Sequence, residues 1–168
     1  ASTSVRRSGR LGTLSFCAHS CHEMEATVYQ EYIESRHYKN RAGVVVVCAD
    51  CHVPHDNWPA VFATKFLATF ELWDHFVERK YILERFNADR LKMAQKVLAH
   101  FAATNARECK SCHEYANMVL EEQRSSVAAR HTDAMKRDQN CLECHEGIVH
   151  KKMVDPAKAV PADAAFFK

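Results

Sequence analysis

Eight cysteines fall into four pairs, and a histidine directly follows each pair. The pairs are Cys17 and Cys21 before His22, Cys48 and Cys51 before His52, Cys109 and Cys112 before His113, and Cys141 and Cys144 before His145. Three have the form C-x-x-C-H, the attachment signature of c-type haem. The first has one residue more, C-x-x-x-C-H. The chemistry accounts for the spacing. Two thiols about one helical turn apart add to the two vinyl groups of one haem, and the next imidazole falls beneath the iron as proximal ligand. A local bulge absorbs the extra residue and leaves His22 adjacent to Cys21. Structural zinc also uses C-x-x-C pairs, but it does not require histidine after every second cysteine. Disulfides need no histidine at all. The pattern predicts four covalently bound c-type haems. Such attachment is completed outside the cytoplasm, which in a bacterium means the periplasm.

Low-spin electron-transfer haems need a second axial ligand. With four histidines assigned as proximal, His19, His37, His55, His75, His100, His131 and His150 remain. His55 follows His52 closely, as His150 follows His145. Chains that short do not reach the far face of their own haem, so these two are expected on neighbouring haems. His37, His55, His131 and His150 are the expected distal ligands, and His19, His75 and His100 the expected non-ligands. Met24, two residues after His22, is either a thioether ligand that would raise the first haem's potential or a packing residue against it.

The elements that must hold these groups read as helices. Only four Gly and four Pro occur in 168 residues, too few for an all-β fold rich in tight turns. The hydrophobic share of 47% excludes a disordered chain, and a formal charge of +2 gives no basic excess for nucleic acid. The longest purely aliphatic run, Val44 to Val47, is far too short to span a bilayer, and Ala1 to Arg10 show no signal-peptide core. A helix is expected from Cys21 to Asn40. Another runs from Ala60 to about Phe86, with Pro59 in its first turn and Phe62, Phe66, Leu67, Phe70, Trp73, Phe76 and Val77 at helical spacing. Asn87 reads as an N-cap for a helix from Ala88 to about Thr104. A further helical stretch covers Tyr115 to Lys136. The segment Ala60 to Trp73, with Lys65 and Glu71 as its only charges, suits either a membrane interface or a core helix packed on haem. The expected fold is mainly α, a compact multihaem cytochrome c with little or no β and a core made mostly of haem. A polar segment 1–15 precedes the haem domain 16–150, and an irregular tail 151–168 follows.

Taken together, the motifs resemble the NapC/NirT family of tetrahaem quinol dehydrogenases, which includes the NrfH-type subunits. The resemblance is carried by Phe16-Cys17, Cys21-His22-Glu23-Met24, His37-Tyr38, Cys48-Ala49-Asp50-Cys51-His52-Val53-Pro54-His55, Cys109-Lys110-Ser111-Cys112-His113 and Cys141-Leu142-Glu143-Cys144-His145 through His150. It covers Phe16 to His150 with the long helical insert between the second and third motifs. The resemblance implies helices around two di-haem pairs, oxidation of membrane quinol, and electron delivery in anaerobic respiration to a periplasmic redox protein or terminal reductase. It matches His37, His55, His131 and His150 to distal ligands, and Met24 to a methionine that ligates the first haem in NrfH-type members. It matches Lys65 and Glu71 to a lysine and an acidic residue near a quinol pocket beside that haem. A carboxylate there would accept a quinol proton as the electron leaves. Two departures fall at the first haem: the extra residue in its motif, and a polar 1–15 where the family carries a transmembrane helix.

Three functions therefore compete. The first is a quinol-oxidising electron-transfer protein with peripheral membrane contact. The second is a soluble periplasmic shuttle between proteins with no quinol site. The third is a multihaem reductase of a small nitrogen or sulfur oxide, which needs an iron with an open position. The histidine supply allows full six-coordination, which ranks the reductase last.

Overall fold

Thr13 opens the first helix, α1 (Leu14–His19), its hydroxyl oxygen accepting the Phe16 amide at 3.2 Å. The computed structural model describes residues 12–20, 22–54, 58–77 and 83–153, and the side chains of His22, Glu71, Leu72 and residues 74–76 lie outside that description. The helix expected over 21–40 is divided into α2 (His22–Ala26) and α3 (Val28–Glu34). The division falls at Thr27, whose φ of −127° and ψ of −93° leave the helical region and whose hydroxyl donates to the Glu23 carbonyl. A side chain that bonds its own backbone competes with the helix in this way.

After α3 the chain turns on Asn40 and Gly43. The Asn40 side-chain oxygen accepts the amides of Ala42 and Val44 at 3.1 and 3.3 Å, and Gly43 takes the positive φ of 65°. The valine run that follows is extended. The Tyr32 hydroxyl donates to the Val46 carbonyl at 2.8 Å and so holds it against α3. This delivers the chain to α4 (Cys48–His52), where the Asp50 carboxylate accepts the Val47 amide at 2.8 Å.

The long insert forms α5 (Trp58–Phe76) and α6 (Leu83–Ala103). Pro59 sits in the first turn of α5, as expected. The boundary expected at Asn87 is corrected, because α6 begins four residues earlier and Asn87 lies inside it. Burial of Phe86 carries the helical phase through that position, and packing overrides the residue's preference for a cap. At its far end α6 closes tightly. Asn105 donates its amide to the Ala102 carbonyl at 3.2 Å and Ala106 to the Phe101 carbonyl at 2.7 Å, with positive φ at both residues. This is the Schellman pattern of paired bonds. It leads without a loop into α7 (Arg107–Lys110) and Cys109.

The stretch expected as helix over 115–136 begins instead as two 3₁₀ turns, Tyr115–Asn117 and Leu120–Glu122, before α8 (Ser125–Lys136). Met118 and Val119 are extended between the turns, and the Asn117 amide donates to the Glu114 carboxylate at 2.7 Å, closing the first one. Finally, α9 (Leu142–His145) carries the last motif. Asn140 sets its position by accepting the Leu142 amide and donating to the Phe101 carbonyl, both at 2.9 Å.

Helices α1 and α4, α4 and α7, and α6 and α9 pack on one another. The fold is mainly α, with no strand among the described residues. Its apolar core is thin. The buried apolar side chains among the described residues are Ala18, Tyr32, Phe86, Phe101 and Ala106. A chain that encloses several large apolar cofactors needs little more.

A candidate haem-binding site

The attachment cysteines follow one another in space as they do in sequence. The Cys17 and Cys48 side chains lie close enough to interact, which joins the first motif to the second. Cys51 lies within electrostatic range of Cys112, and Cys109 within range of both Cys51 and Cys141. The Tyr115 hydroxyl donates to the Gln139 carbonyl at 2.9 Å and ties the chain after the third motif to the approach to the fourth. Cys21 lies outside the described residues. No disulfide joins any of the other seven cysteines.

Three expected proximal histidines each face a histidine from elsewhere in the chain. His52 faces His150 with ring centroids 6.3 Å apart, His113 faces His37 at 6.1 Å, and His145 faces His131 at 6.0 Å. Two metal–imidazole bonds of about 2.0 Å plus two ring radii of about 1.1 Å span about 6.2 Å. Each gap is therefore the width of one iron ligated on both faces. Among the described residues no three His, Cys, Asp or Glu side chains converge on a bare ion site. The donors come instead in opposed pairs beside paired thiols, the arrangement a planar macrocycle requires. The ring planes differ between pairs: 87° for His37 and His113, but 37° for His52 and His150 and 28° for His131 and His145.

The outer contacts of the distal candidates differ from one to the next. Nδ1 of His131 pairs with the Gln123 side-chain oxygen at 2.6 Å, which leaves Nε2 as the nitrogen available to a metal. In His37 and His150, Nδ1 is the nitrogen buried in protein. Burial, then the neighbouring His113, pushes the His37 imidazole below its ordinary range. Burial does the same to His150, with Glu31 and a Val28 backbone hydrogen bond pulling against it and Arg90 adding to it. Both rings are thereby held neutral, the form that ligates a metal.

The remaining expected site residues are distributed unevenly. His55 lies outside the described residues, as do the side chains of His22 and Glu71. Met24 is exposed. Lys65 stands close to the first motif. The Cys17 thiol is lowered to about 7 by the neighbouring Cys48 side chain, with Lys65 adding its charge against the opposing effect of burial. Glu71 lies about 9 Å further along the axis of α5 at 1.5 Å per residue. His19 pairs with Glu25 at 3.1 Å, and His100 lies 3.8 Å from Glu108.

Helix α5 turns its aromatic side outward. Trp58, Phe62, Phe66 and Phe70 recur every fourth residue with Trp73 beside them, each more than half exposed. Their rings form a ladder with centroids 5.5–6.4 Å apart. Ala60, Val61 and Thr64 are the more covered side. Among the described residues no helix is long and apolar enough to cross a membrane.

Sequence reasoning missed the residues that hold the histidines. Gln123 is eight positions from His131, and Glu31 is 120 positions from Lys151, whose amide it accepts. No spacing rule joins either pair. Only Asn140, a turn-forming residue directly before Cys141, carried a local signal.

The family model for the N-terminal region of the NapC/NirT cytochrome c family matches residues 6–155. A tetraheme cytochrome-c type protein of Allochromatium vinosum is 42% identical over 147 residues, 88% of this chain and 78% of the relative. The cytochrome c-type protein NapC of Escherichia coli K12 is 42% identical over 142 residues, 84% of this chain and 70% of the relative. The denitrification system component NirT of Stutzerimonas stutzeri is 41% identical over 138 residues, 82% of this chain and 68% of the relative. No solved structure matches the chain.

Proposed function

Because the chain belongs to the NapC/NirT cytochrome c family, a family of electron-transfer cytochromes with covalently bound c-type haem, we propose that it carries four haems and passes electrons from a membrane quinol to a periplasmic redox protein or reductase. The observation that carries this reading is the set of three opposed imidazole pairs at 6.0–6.3 Å. With an iron held between each motif histidine and its facing histidine, no ligand position would stay open for substrate at those three motifs. That favours electron transfer over reduction of a small oxide at iron.

On this reading, Cys17 and Cys21, Cys48 and Cys51, Cys109 and Cys112, and Cys141 and Cys144 hold the four haems. His22, His52, His113 and His145 are the proximal ligands. His150, His37 and His131 are the distal ligands at the second, third and fourth motifs. His55 and Met24 remain the candidates at the first. When bound, haem supplies one-electron chemistry that no side chain here can supply. The chain's own residues fix the imidazoles, exclude water and handle the proton of the donor.

The quinol would be held beside the first motif. Lys65 supports that placement by its closeness to Cys17, and would donate a hydrogen bond to a quinol oxygen. Glu71, six residues on, would accept the proton released on oxidation. The outward aromatic ladder of α5 gives this end an amphipathic surface of the type that lies in a lipid headgroup layer, from which an apolar quinol is drawn.

The test is stopped-flow reduction of the ferric holoprotein by a menaquinol analogue in lipid vesicles, with dithionite as the control reductant. Quinol should reduce the wild type. Glu71→Gln should slow that step about a hundredfold, and Lys65→Ala should weaken the dependence on quinol concentration, with dithionite reduction unchanged in both. Reduction by dithionite alone would replace this reading with the soluble shuttle.

A further inference from the structure

Glu31 is the point at which three distant parts of the chain meet, and the reading above gives it no role. It lies on α3, and its side chain is 11% exposed. One carboxylate oxygen, Oε2, takes three neighbours. Arg90 of α6 donates a guanidinium hydrogen bond to it. The Lys151 amide donates to it at 2.9 Å. Nδ1 of His150 stands 4.0 Å away, buried and without a hydrogen-bond partner. Burial alone would raise the Glu31 pKa, but the Arg90 hydrogen bond, the Lys151 amide and the Arg90 charge outweigh it and hold the carboxyl below its ordinary range.

We propose that Glu31 is a positioning residue for His150 and that, balanced against Arg90, it sets the redox potential of the haem held between His52 and His150. The proposal rests on the assignment of His150 as a distal ligand. Two features of the geometry carry it. The bond to the Lys151 amide anchors the residue next to His150, so the carboxylate fixes the backbone from which the imidazole projects. The same oxygen lies 4.0 Å from Nδ1 of the ring. A negative charge there strengthens the ring as an electron donor and favours the oxidised metal. Arg90 counters it, because the guanidinium is always charged and shares the same oxygen.

A purely structural role would move the two variants together, since losing either partner loosens His150. The electrostatic role moves them apart. In Glu31→Gln an unopposed guanidinium remains, and the potential of one haem should rise. In Arg90→Gln an unopposed carboxylate remains, and the same haem's potential should fall. Glu31→Asp keeps the charge and should stay near wild type. The experiment is a spectroelectrochemical titration of the purified holoprotein variants, with electron paramagnetic resonance to identify the haem that moves. Shifts of opposite sign on one low-spin haem, with Glu31→Asp near wild type, support the proposal. Shifts of the same sign, no shift, or a Glu31→Asp value equal to that of Glu31→Gln overturn it. His150→Ala tests the underlying assignment separately. It should convert one haem to high spin, and if all haems stay low-spin the ligand assignment fails whatever the Glu31 variants do.

Discussion

Replacing Asn140 by serine isolates a single hydrogen bond on which the placement of the fourth motif depends. Asn140 does two things at once. Its side-chain oxygen accepts the Leu142 amide at 2.9 Å, shaping the turn into α9, and its side-chain amide donates to the Phe101 carbonyl at 2.9 Å, fastening that turn to the end of α6. Serine keeps an acceptor near enough for the first bond and is too short for the second. The Phe101 carbonyl also accepts the Ala106 amide at 2.7 Å, so it is not left without a partner. The loss is therefore that of one ordinary bond, about 1 kcal/mol. Alanine removes both bonds and should cost about 2 kcal/mol. Urea unfolding of the ferric holoprotein, followed by far-ultraviolet circular dichroism, gives the midpoints, and an unchanged slope licenses the comparison. Equal losses for serine and alanine would mean that the turn bond contributes nothing. Losses below about 0.5 kcal/mol in both would mean that α9 is held to α6 by other contacts, and the argument from Asn140 would fail.

The left-handed Ala106 gives a second prediction. This residue has a φ of 50° and no exposed surface. Ala106→Gly removes the backbone cost and should leave stability unchanged or raise it by up to about 1 kcal/mol, while Ala106→Val should lower it by about 2 kcal/mol or more; thermal unfolding reads both. The ring planes give a third. Perpendicular axial imidazoles leave two iron d orbitals nearly degenerate, and near-parallel ones split them. The 87° pair, His37 with His113, should give a highly anisotropic low-spin electron paramagnetic resonance signal, and the 37° and 28° pairs ordinary rhombic ones. His37→Ala should remove the anisotropic signal alone, and loss of a rhombic signal instead would refute the pairing.

The sequence carried the chemistry further than it carried the architecture. Cysteine and histidine spacing is a local property enforced by the size of one haem, so every motif could be read without knowing the fold. Helical class was legible too, because apolar spacing and scarce glycine act locally. Boundaries failed where a side chain or a distant contact decided the matter: Thr27 bonding its own backbone, Phe86 carrying α6 through Asn87, Asn117 closing a 3₁₀ turn. Which histidine each motif histidine meets was not legible. His37 meets His113 across 76 positions and His52 meets His150 across 98, and nothing in local spacing encodes such distances.

That asymmetry bears on where the redox properties of this chain are written. A motif histidine is fixed by the cysteine beside it, and its neighbours follow the attachment. A distal histidine has no covalent tether to its haem, so its orientation depends on whatever holds its second nitrogen. At His131 that is a neutral amide, Gln123. At His150 that nitrogen has no hydrogen-bond partner but faces, at 4.0 Å, a carboxylate shared with a guanidinium. At His37 the same nitrogen is buried and has no hydrogen-bond partner. Three otherwise equal imidazole pairs thus carry three different loads on the outer nitrogen. A hydrogen-bonded amide strengthens the donor modestly, an anion more, and an unbonded nitrogen least. Differences in potential along the row of motifs follow from residues that no attachment signature contains, and exchanging those residues should shift individual haems while leaving attachment, spin state and fold intact.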